Sequence, residues 1–321
     1  MRAWQIETLG SAPVMRDLPR PVPTAGQALV AIEACGLNFA DLLMAEGRYQ
    51  ERPALPFIPG LECAGTVLAL GPDTIGPAPG TRVACNAGIG GLAEAGAFPV
   101  ETLVPIPDAL SFEQAAGFQI AYGTSHLALS HLARLQPSET LLVLGAAGGV
   151  GLTAVEIGAA LGARVIACAR GPEKLAIARA AGASVTIDSD TPDLKAVLKA
   201  LGGVDVVYDP VGGDAFAAAL RATRPGGRIL TIGFASGSVP QIPANLLLVK
   251  NLSVIGLWWG GYAKFAPGTV SATLSTLFDW FAAGRLSPHI SHVLPFDALP
   301  GGLDLLRSRA AIGKVILRTR A

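Results

Sequence analysis

Leu141-Leu-Val-Leu-Gly145-Ala-Ala-Gly-Gly-Val-Gly151-Leu-Thr-Ala-Val-Glu-Ile-Gly-Ala-Ala-Leu161 is the stretch whose reading decides the fold. Four apolar residues of strand character, Leu141 to Leu144, run into a glycine-rich turn, and a helical pattern follows from about Leu152 to Leu161. The core of the turn is AxGxxG, at Ala146, Gly148 and Gly151. Glycine is needed where the chain turns tightly and where a pyrophosphate must approach the backbone, and a helix N-terminus presents free N–H groups to the phosphates. Ala147, Gly148, Gly149, Val150 and Gly151 are therefore the candidate phosphate-binding residues. Gly-rich turns also occur at strand–helix junctions where nothing binds, so context decides. Here a strand precedes, a helix follows and a second strand ends about 20 residues on, which favours a dinucleotide. No Gly-Lys-Ser/Thr follows, which excludes Walker-type phosphate binding.

From Leu141 to Ala163 the only charged residue is Glu156, and the segment is about as long as a membrane span. Its six glycines and its break from an apolar run into a Gly/Ala cluster give strand, turn and helix instead. Outward from this stretch, apolar runs alternate with Ala-rich helical segments from Thr140 to about Gly256. The runs are Leu141 to Leu144, Arg164 to Cys168, Ser184 to Ile187, Val204 to Tyr208, Arg228 to Ile232 and Leu252 to Leu257. Repeated βαβ units of this kind predict an α/β fold with a doubly wound parallel sheet.

The end of the second strand selects the cofactor. NAD binding usually places an Asp or Glu there for the ribose hydroxyls, whereas this chain has Ala169-Arg170-Gly171. Arg170, with Lys174 one turn later, suits a 2′-phosphate by charge-assisted hydrogen bonds, which points to NADPH; a solvated surface pair is the alternative. Asp209-Pro-Val-Gly-Gly213 and Gly233-Phe-Ala-Ser-Gly237 close two later strands, and in a doubly wound sheet such loops line the cofactor crevice. Gly212, Phe234, Ala235 and Ser236 are the candidates there.

Met1 to about Ala115 is rich in Pro and Gly, with short β-like runs such as Ala28-Leu-Val-Ala-Ile-Glu and Gly65-Thr-Val-Leu-Ala-Leu, which predicts a mostly β domain. After Gly260 come an apolar-periodic stretch, Val270 to Leu286, and a closing Gly313-Lys-Val-Ile-Leu that returns to the first domain. The expected division is 1–118 for the first part of the β domain, 119–256 for the nucleotide-binding domain and 257–321 for the return.

With 51% hydrophobic and 15% charged residues in 321, the chain can bury a large core. Its 24 basic and 24 acidic residues cancel, and no basic run offers a footprint for nucleic acid or an anionic membrane. Cys35, Cys63, Cys85 and Cys168 show no CxxC pair and read as reduced thiols. The start reaches a charge before any apolar run of signal length, so secretion is not expected and the cytoplasm is.

Cys35-Gly-Leu-Asn-Phe-Ala-Asp41, Gly47-Arg-Tyr49, Pro59-Gly-Leu-Glu-Cys-Ala-Gly65, the glycine turn and Gly313-Lys-Val-Ile-Leu together resemble the medium-chain dehydrogenase/reductases, and within them the zeta-crystallin-like quinone oxidoreductases. The resemblance covers nearly the whole chain. It implies a GroES-like catalytic domain built from both chain ends, an inserted Rossmann domain, a cleft holding NADPH and substrate, and a homodimer through the edge strand at 252–257. An apolar unpaired edge is a liability, which independently favours that pairing.

The zinc ligands of alcohol dehydrogenases in this superfamily fall here at Asn38, Leu61 and near Ala116, so no zinc is expected even with Glu62 retained. The histidine pairs His126/His131 and His289/His292 lack an acidic partner at metal spacing, and His289 and His292 are placed in a loop. Without zinc a substrate carbonyl must be polarised by hydrogen bonds. The resemblance places Asn38 and Tyr49 opposite the nicotinamide as catalytic candidates and Lys314 at the cofactor, with Asp41 and Glu62 holding loops. Asn38 is equally read as the cap of a helix starting at Phe39, and Tyr49 as a turn aromatic. The Trp258-Trp259 pair is read as packing.

The expected activity is NADPH-dependent reduction of a quinone or other α,β-unsaturated carbonyl. The alternatives are a 2-enoyl thioester or alkenal reductase, and a nonenzymatic NADPH-binding protein of crystallin or RNA-binding type.

Overall fold

The computed structural model describes residues 1–319. The chain forms two units, one comprising Met1–Ile120 with Pro288–Ala321 and the other Ala121–Ser287. The first unit opens with an antiparallel pair, β1 (Arg2–Gln5) and β2 (Val14–Asp17). β3 (Gln27–Leu37) leads into α1 (Phe39–Ala45), and β4 (Glu62–Leu70), β5 (Arg82–Cys85), β6 (Ala95–Pro99), β7 (Leu103–Pro105) and α2 (Phe112–Ala116) follow. β3 is apolar along nearly its whole length because it is a central strand, flanked by partners and covered by the core around Val30, Ile32, Leu37, Val67 and Val83.

The second unit begins inside α3 (Gln119–His126). It holds β8 (Thr140–Leu144), α4 (Gly149–Ala160), β9 (Arg164–Ala169), α5 (Pro172–Ala180), β10 (Val185–Asp188), α6 (Leu194–Ala200), β11 (Val204–Asp209), α7 (Gly213–Ala222), β12 (Thr223–Thr231), α8 (Ala244–Lys250), β13 (Ser253–Gly256), α9 (Trp259–Phe265) and α10 (Pro267–Ala282). All six strands run parallel in the order β10-β9-β8-β11-β12-β13. Numbered from β8 this is 3-2-1-4-5-6, the doubly wound order of dinucleotide-binding sheets. Each expected strand is present. β8 is buried at all five positions, as a parallel strand covered on both faces must be. The helices carry local start signals: Pro172 presets the first turn of α5, and Asp193 caps α6 by accepting from Ala196 N at 2.9 Å. Leu142, Ile166, Val207, Phe216 and Ile229 form the core beside the sheet.

The expected return to the first domain at 257 is late in the structure, because the chain stays with the Rossmann unit to Ser287. Trp259 is buried against Gly123, where an added Cβ would meet its ring at 2.5 Å, and Trp280 of α10 meets the His126 ring edge-on at 5.4 Å. Arg285 also donates to Ala160 O at 2.8 Å.

β14 (Ile290–Pro295), α11 (Leu299–Arg307) and β15 (Lys314–Arg318) complete the first unit, in a sheet of order β14-β15-β3-β4-β5-β7 with β6 paired to β3. β15 pairs antiparallel with β3, Leu317 facing Cys35. His292 therefore lies in a strand opposite Val315 and not in a loop. Among the described residues no helix is long and apolar enough to cross a membrane.

Candidate active site

In the Rossmann unit the β8–α4 turn has the form the sequence calls for. Ala146 N bonds to Cys168 O at 3.0 Å and Gly148 N to Gly145 O at 2.9 Å, which folds the turn against β9. A Cβ on Gly151 would lie 2.1 Å from Gly145 O, so only glycine lets the helix come this close to the strand end. Gly148 takes the N-cap position, and Leu152 N gives the first full helical bond, to Gly148 O at 2.9 Å. The amides of Gly149, Val150 and Gly151 are thus among the four N–H groups that a helix start leaves without an intrahelical acceptor. No acidic residue stands in that first turn to oppose an anion. Ala147, in the turn that leads into it, is buried.

At the end of β9 the Arg170 side chain is 67% exposed and pairs with Asp190 at 3.1 Å. Lys174 lies one turn along α5 and is itself engaged. Reading the β9 end alone misses the carboxylates one strand over: Asp188 accepts Gly171 N at 3.1 Å and Asp190 N at 3.0 Å. Asp188 ends β10 and Asp190 follows it, and only the sheet order makes β10 the neighbour of β9.

The loops after β11 and β12 are bonded to one another. Asp209 Oδ1 accepts Val211 N at 2.7 Å and Gly212 N at 2.9 Å, while Ala235 N donates to Pro210 O at 3.0 Å and Ser236 N to Val211 O at 2.9 Å. Gly212 sits at φ +73°, a conformation that excludes most side chains. Gly212, Phe234, Ala235 and Ser236 are brought together, with Phe234 exposed.

The catalytic unit holds a buried polar cluster. Lys314 Nζ donates to Leu37 O at 3.0 Å, Asn38 Oδ1 at 2.8 Å and Glu62 Oε1 at 2.9 Å, which uses all three ammonium hydrogens. Asn38 Nδ2 donates to Gly36 O at 3.2 Å and Glu62 Oε1 at 3.1 Å. Glu62 Oε2 accepts Ile120 N at 3.1 Å. Lys314 and Glu62 are both buried. Lys314 and Asn38, both singled out in the sequence, thus meet in one cluster, in which the ammonium bonds Leu37, Asn38 and Glu62 and the Asn38 amide places its two hydrogens on Gly36 and Glu62.

Asp41 holds loops, as its position suggests: it accepts Asn38 N at 2.8 Å and the Gly60 and Leu61 amides at 3.2 Å each. Burial pushes its carboxyl up to about 7, against the lowering pull of the Asn38 amide and Lys314. Tyr49 is half-buried on the apolar cluster of Ile6, Met44, Phe57 and Leu61.

A zinc ion does not fit this arrangement. Of the positions that hold ligands in zinc-dependent relatives, one carries an amide bonded to an ammonium, and Leu61 and Ala116 are buried and apolar. The Glu62 carboxylate is already neutralised by Lys314. Among the described residues no cluster of three or more His, Cys, Asp or Glu side chains is arranged for a metal.

Two chain segments match known families: residues 24–108 match the alcohol dehydrogenase GroES-like domain, and residues 149–279 the family described as zinc-binding dehydrogenase. A quinone oxidoreductase-like protein 2 homolog of Nematostella vectensis is 42% identical over 301 residues, covering 92% of this chain and 82% of that protein. The quinone oxidoreductase of Thermus thermophilus, solved alone and with NADPH, superposes with a TM-score of 0.87 at 36% identity over 99% of this chain and 100% of that one. The Escherichia coli quinone oxidoreductase solved with NADPH superposes with a TM-score of 0.93 at 27% identity, over 99% and 100% of the two chains.

Proposed function

For a chain that belongs to the zinc-free, quinone oxidoreductase-like family of medium-chain dehydrogenase/reductases, and so is an oxidoreductase, we propose NADPH-dependent reduction of a quinone or another α,β-unsaturated carbonyl by hydride transfer. The observation that carries the reading is the exposed Arg170 at the end of β9, paired at the surface with Asp190, beside an α4 start without a carboxylate, in a sheet of the dinucleotide-binding order.

The amides of Gly149, Val150 and Gly151 hold the pyrophosphate, with Ala147 and Gly148 shaping the turn beneath it. Arg170 and Lys174 hold the 2′-phosphate. The exposed Arg170–Asp190 pair is worth only about 0–1 kcal/mol, so a phosphate dianion displaces it. Gly212, Phe234, Ala235 and Ser236 form the wall that orients the nicotinamide half. NADPH, when bound, supplies the hydride. Tyr49 offers its phenolic O–H to the oxygen on which negative charge develops. Asn38 is held in one amide orientation by Lys314 and Glu62, and it reaches the substrate only by exchanging its 3.2 Å bond to Gly36 O. In solution the edge strand β13, beside the exposed Leu248 and Val249 of α8, pairs with a second copy.

The test is oxidation of NADPH and of NADH by purified protein against quinones, enones, alkenals and enoyl thioesters. Turnover of quinones or simple enones with NADPH is the expected result. Faster turnover of enoyl thioesters would redirect the substrate class, and tight NADPH binding without turnover of any acceptor would contradict the enzymatic reading.

A further inference from the structure

Under the phosphate-binding turn, within the Rossmann unit, lies a chain of buried hydroxyls that packing alone does not require. Tyr208, on β11, is fully buried, and its hydroxyl lies 3.0 Å from Ser125 Oγ of α3. Ser125 Oγ lies 2.8 Å from Thr153 Oγ1 and donates to Val150 O at 3.0 Å. Thr153 Oγ1 is within 3.0 Å of Val150 O and 3.1 Å of Ala121 O. Phenylalanine would fill the same core volume as Tyr208, whereas a buried hydroxyl is tolerated only when it is bonded.

We propose that Tyr208 is a positioning residue for the cofactor's pyrophosphate, acting through Ser125 and Thr153 on the first turn of α4. Of the three hydroxyl hydrogens, that of Tyr208 goes to Ser125 Oγ and those of Ser125 and Thr153 go on to Val150 O and Ala121 O, so hydrogen donation runs from Tyr208 toward the backbone. Val150 is the middle residue of the three whose amides form the anion cradle, and its carbonyl is the point where the chain of hydroxyls is fastened. The cradle is thereby tied to α3 and β11 as well as to its own helix. Amides fixed before the ligand arrives bind without an ordering cost, which is the general benefit of preorganisation. The next residue, Asp209, holds the second nucleotide loop by its bonds to Val211 N and Gly212 N. One strand end therefore steadies both loops.

The inference rests on the NADPH reading above and adds the residue that holds the cradle. Its test compares NADPH with adenosine 2′-monophosphate, which keeps the 2′-phosphate but has no pyrophosphate. Dissociation constants are measured for wild type, Tyr208→Phe, Ser125→Ala and the double variant. Loss of one net hydrogen bond sets the scale, so Tyr208→Phe is expected to weaken NADPH about 3- to 10-fold and leave the monophosphate unchanged. Adding Tyr208→Phe to Ser125→Ala is expected to cost nothing further, since both act on one path. A general loosening of the unit would weaken both ligands in proportion and overturn the proposal, as would unchanged NADPH affinity in Tyr208→Phe. Wild-type protein that binds neither ligand overturns this proposal together with the NADPH reading. Wild-type binding with an indifferent Tyr208→Phe overturns this one alone.

Discussion

In the Rossmann unit the candidate site is made largely of backbone, the amides of Gly149 to Gly151 and the loops after β11 and β12, and every group comes from a short run at a strand end. In the catalytic unit it is made of side chains from both ends of the chain, Lys314 meeting Asn38 across 276 positions and Glu62 across 252. Backbone sites need glycine at fixed offsets and so leave a pattern in the sequence. A buried ion pair leaves none, because any Lys and any Glu satisfy it once the fold brings them together. The two kinds of site also differ in what holds them. The cradle depends on close approach and rigidity, and the Lys314 cluster depends on complete pairing of charges that water cannot reach.

The largest effect expected from that difference is in the catalytic unit. Lys314→Met leaves the Glu62 carboxylate buried and unpaired, at a cost of about 3–5 kcal/mol, and the double variant Lys314→Met/Glu62→Gln recovers most of it. Urea unfolding of the three proteins measures this. A loss under about 1 kcal/mol in the single variant would mean that the pair is not the structural node described.

Next is Gly151→Ala. The added methyl meets Gly145 O, the turn must open, and about 1–3 kcal/mol of overpacking strain translates into roughly 5- to 150-fold weaker NADPH binding. Unfolding of the catalytic unit is expected to be untouched, so normal affinity in this variant would break the contrast between the sites.

A smaller effect separates Asp41 from its neighbours by pH. Its carboxyl titrates at about 7 when folded and near about 4 when unfolded, so the folded chain binds the extra proton between those values. Stability contributed by that proton is present at low pH and is lost as pH rises toward 7. Relative to Asp41→Asn, wild type is expected to lose melting temperature steadily from about pH 4.5 to about 7.5. A constant difference across that window would place the carboxyl in its ordinary range.

The same contrast explains what is legible in the sequence. All six Rossmann strands, the glycine turn and the two later loops follow from alternating apolar runs and glycine punctuation, which are local signals. The family motifs locate Asn38, Asp41 and Glu62 but not their partners. The motif around Lys314 gives no sign that its ammonium bonds Leu37, Asn38 and Glu62, a fact visible only when β15 is laid beside β3. Asp188 and Asp190 give no local signal at the cofactor end because they belong to β10 and the turn after it, and the place of β10 next to β9 is a property of the sheet. The boundary at 257 falls early because Trp259 and Trp280 read as apolar residues without an address, and their packing on Gly123 and His126 is tertiary.

The central claim, that the β9 end chooses NADPH, is tested most directly by titrating NADPH and NADH into wild type and Arg170→Asp. Two or so charge-assisted hydrogen bonds to the 2′-phosphate predict that wild type favours NADPH by about 10-fold or more, and that Arg170→Asp abolishes the preference while leaving NADH affinity nearly unchanged. Equal affinity of wild type for the two cofactors, or a preference that survives Arg170→Asp, would contradict it.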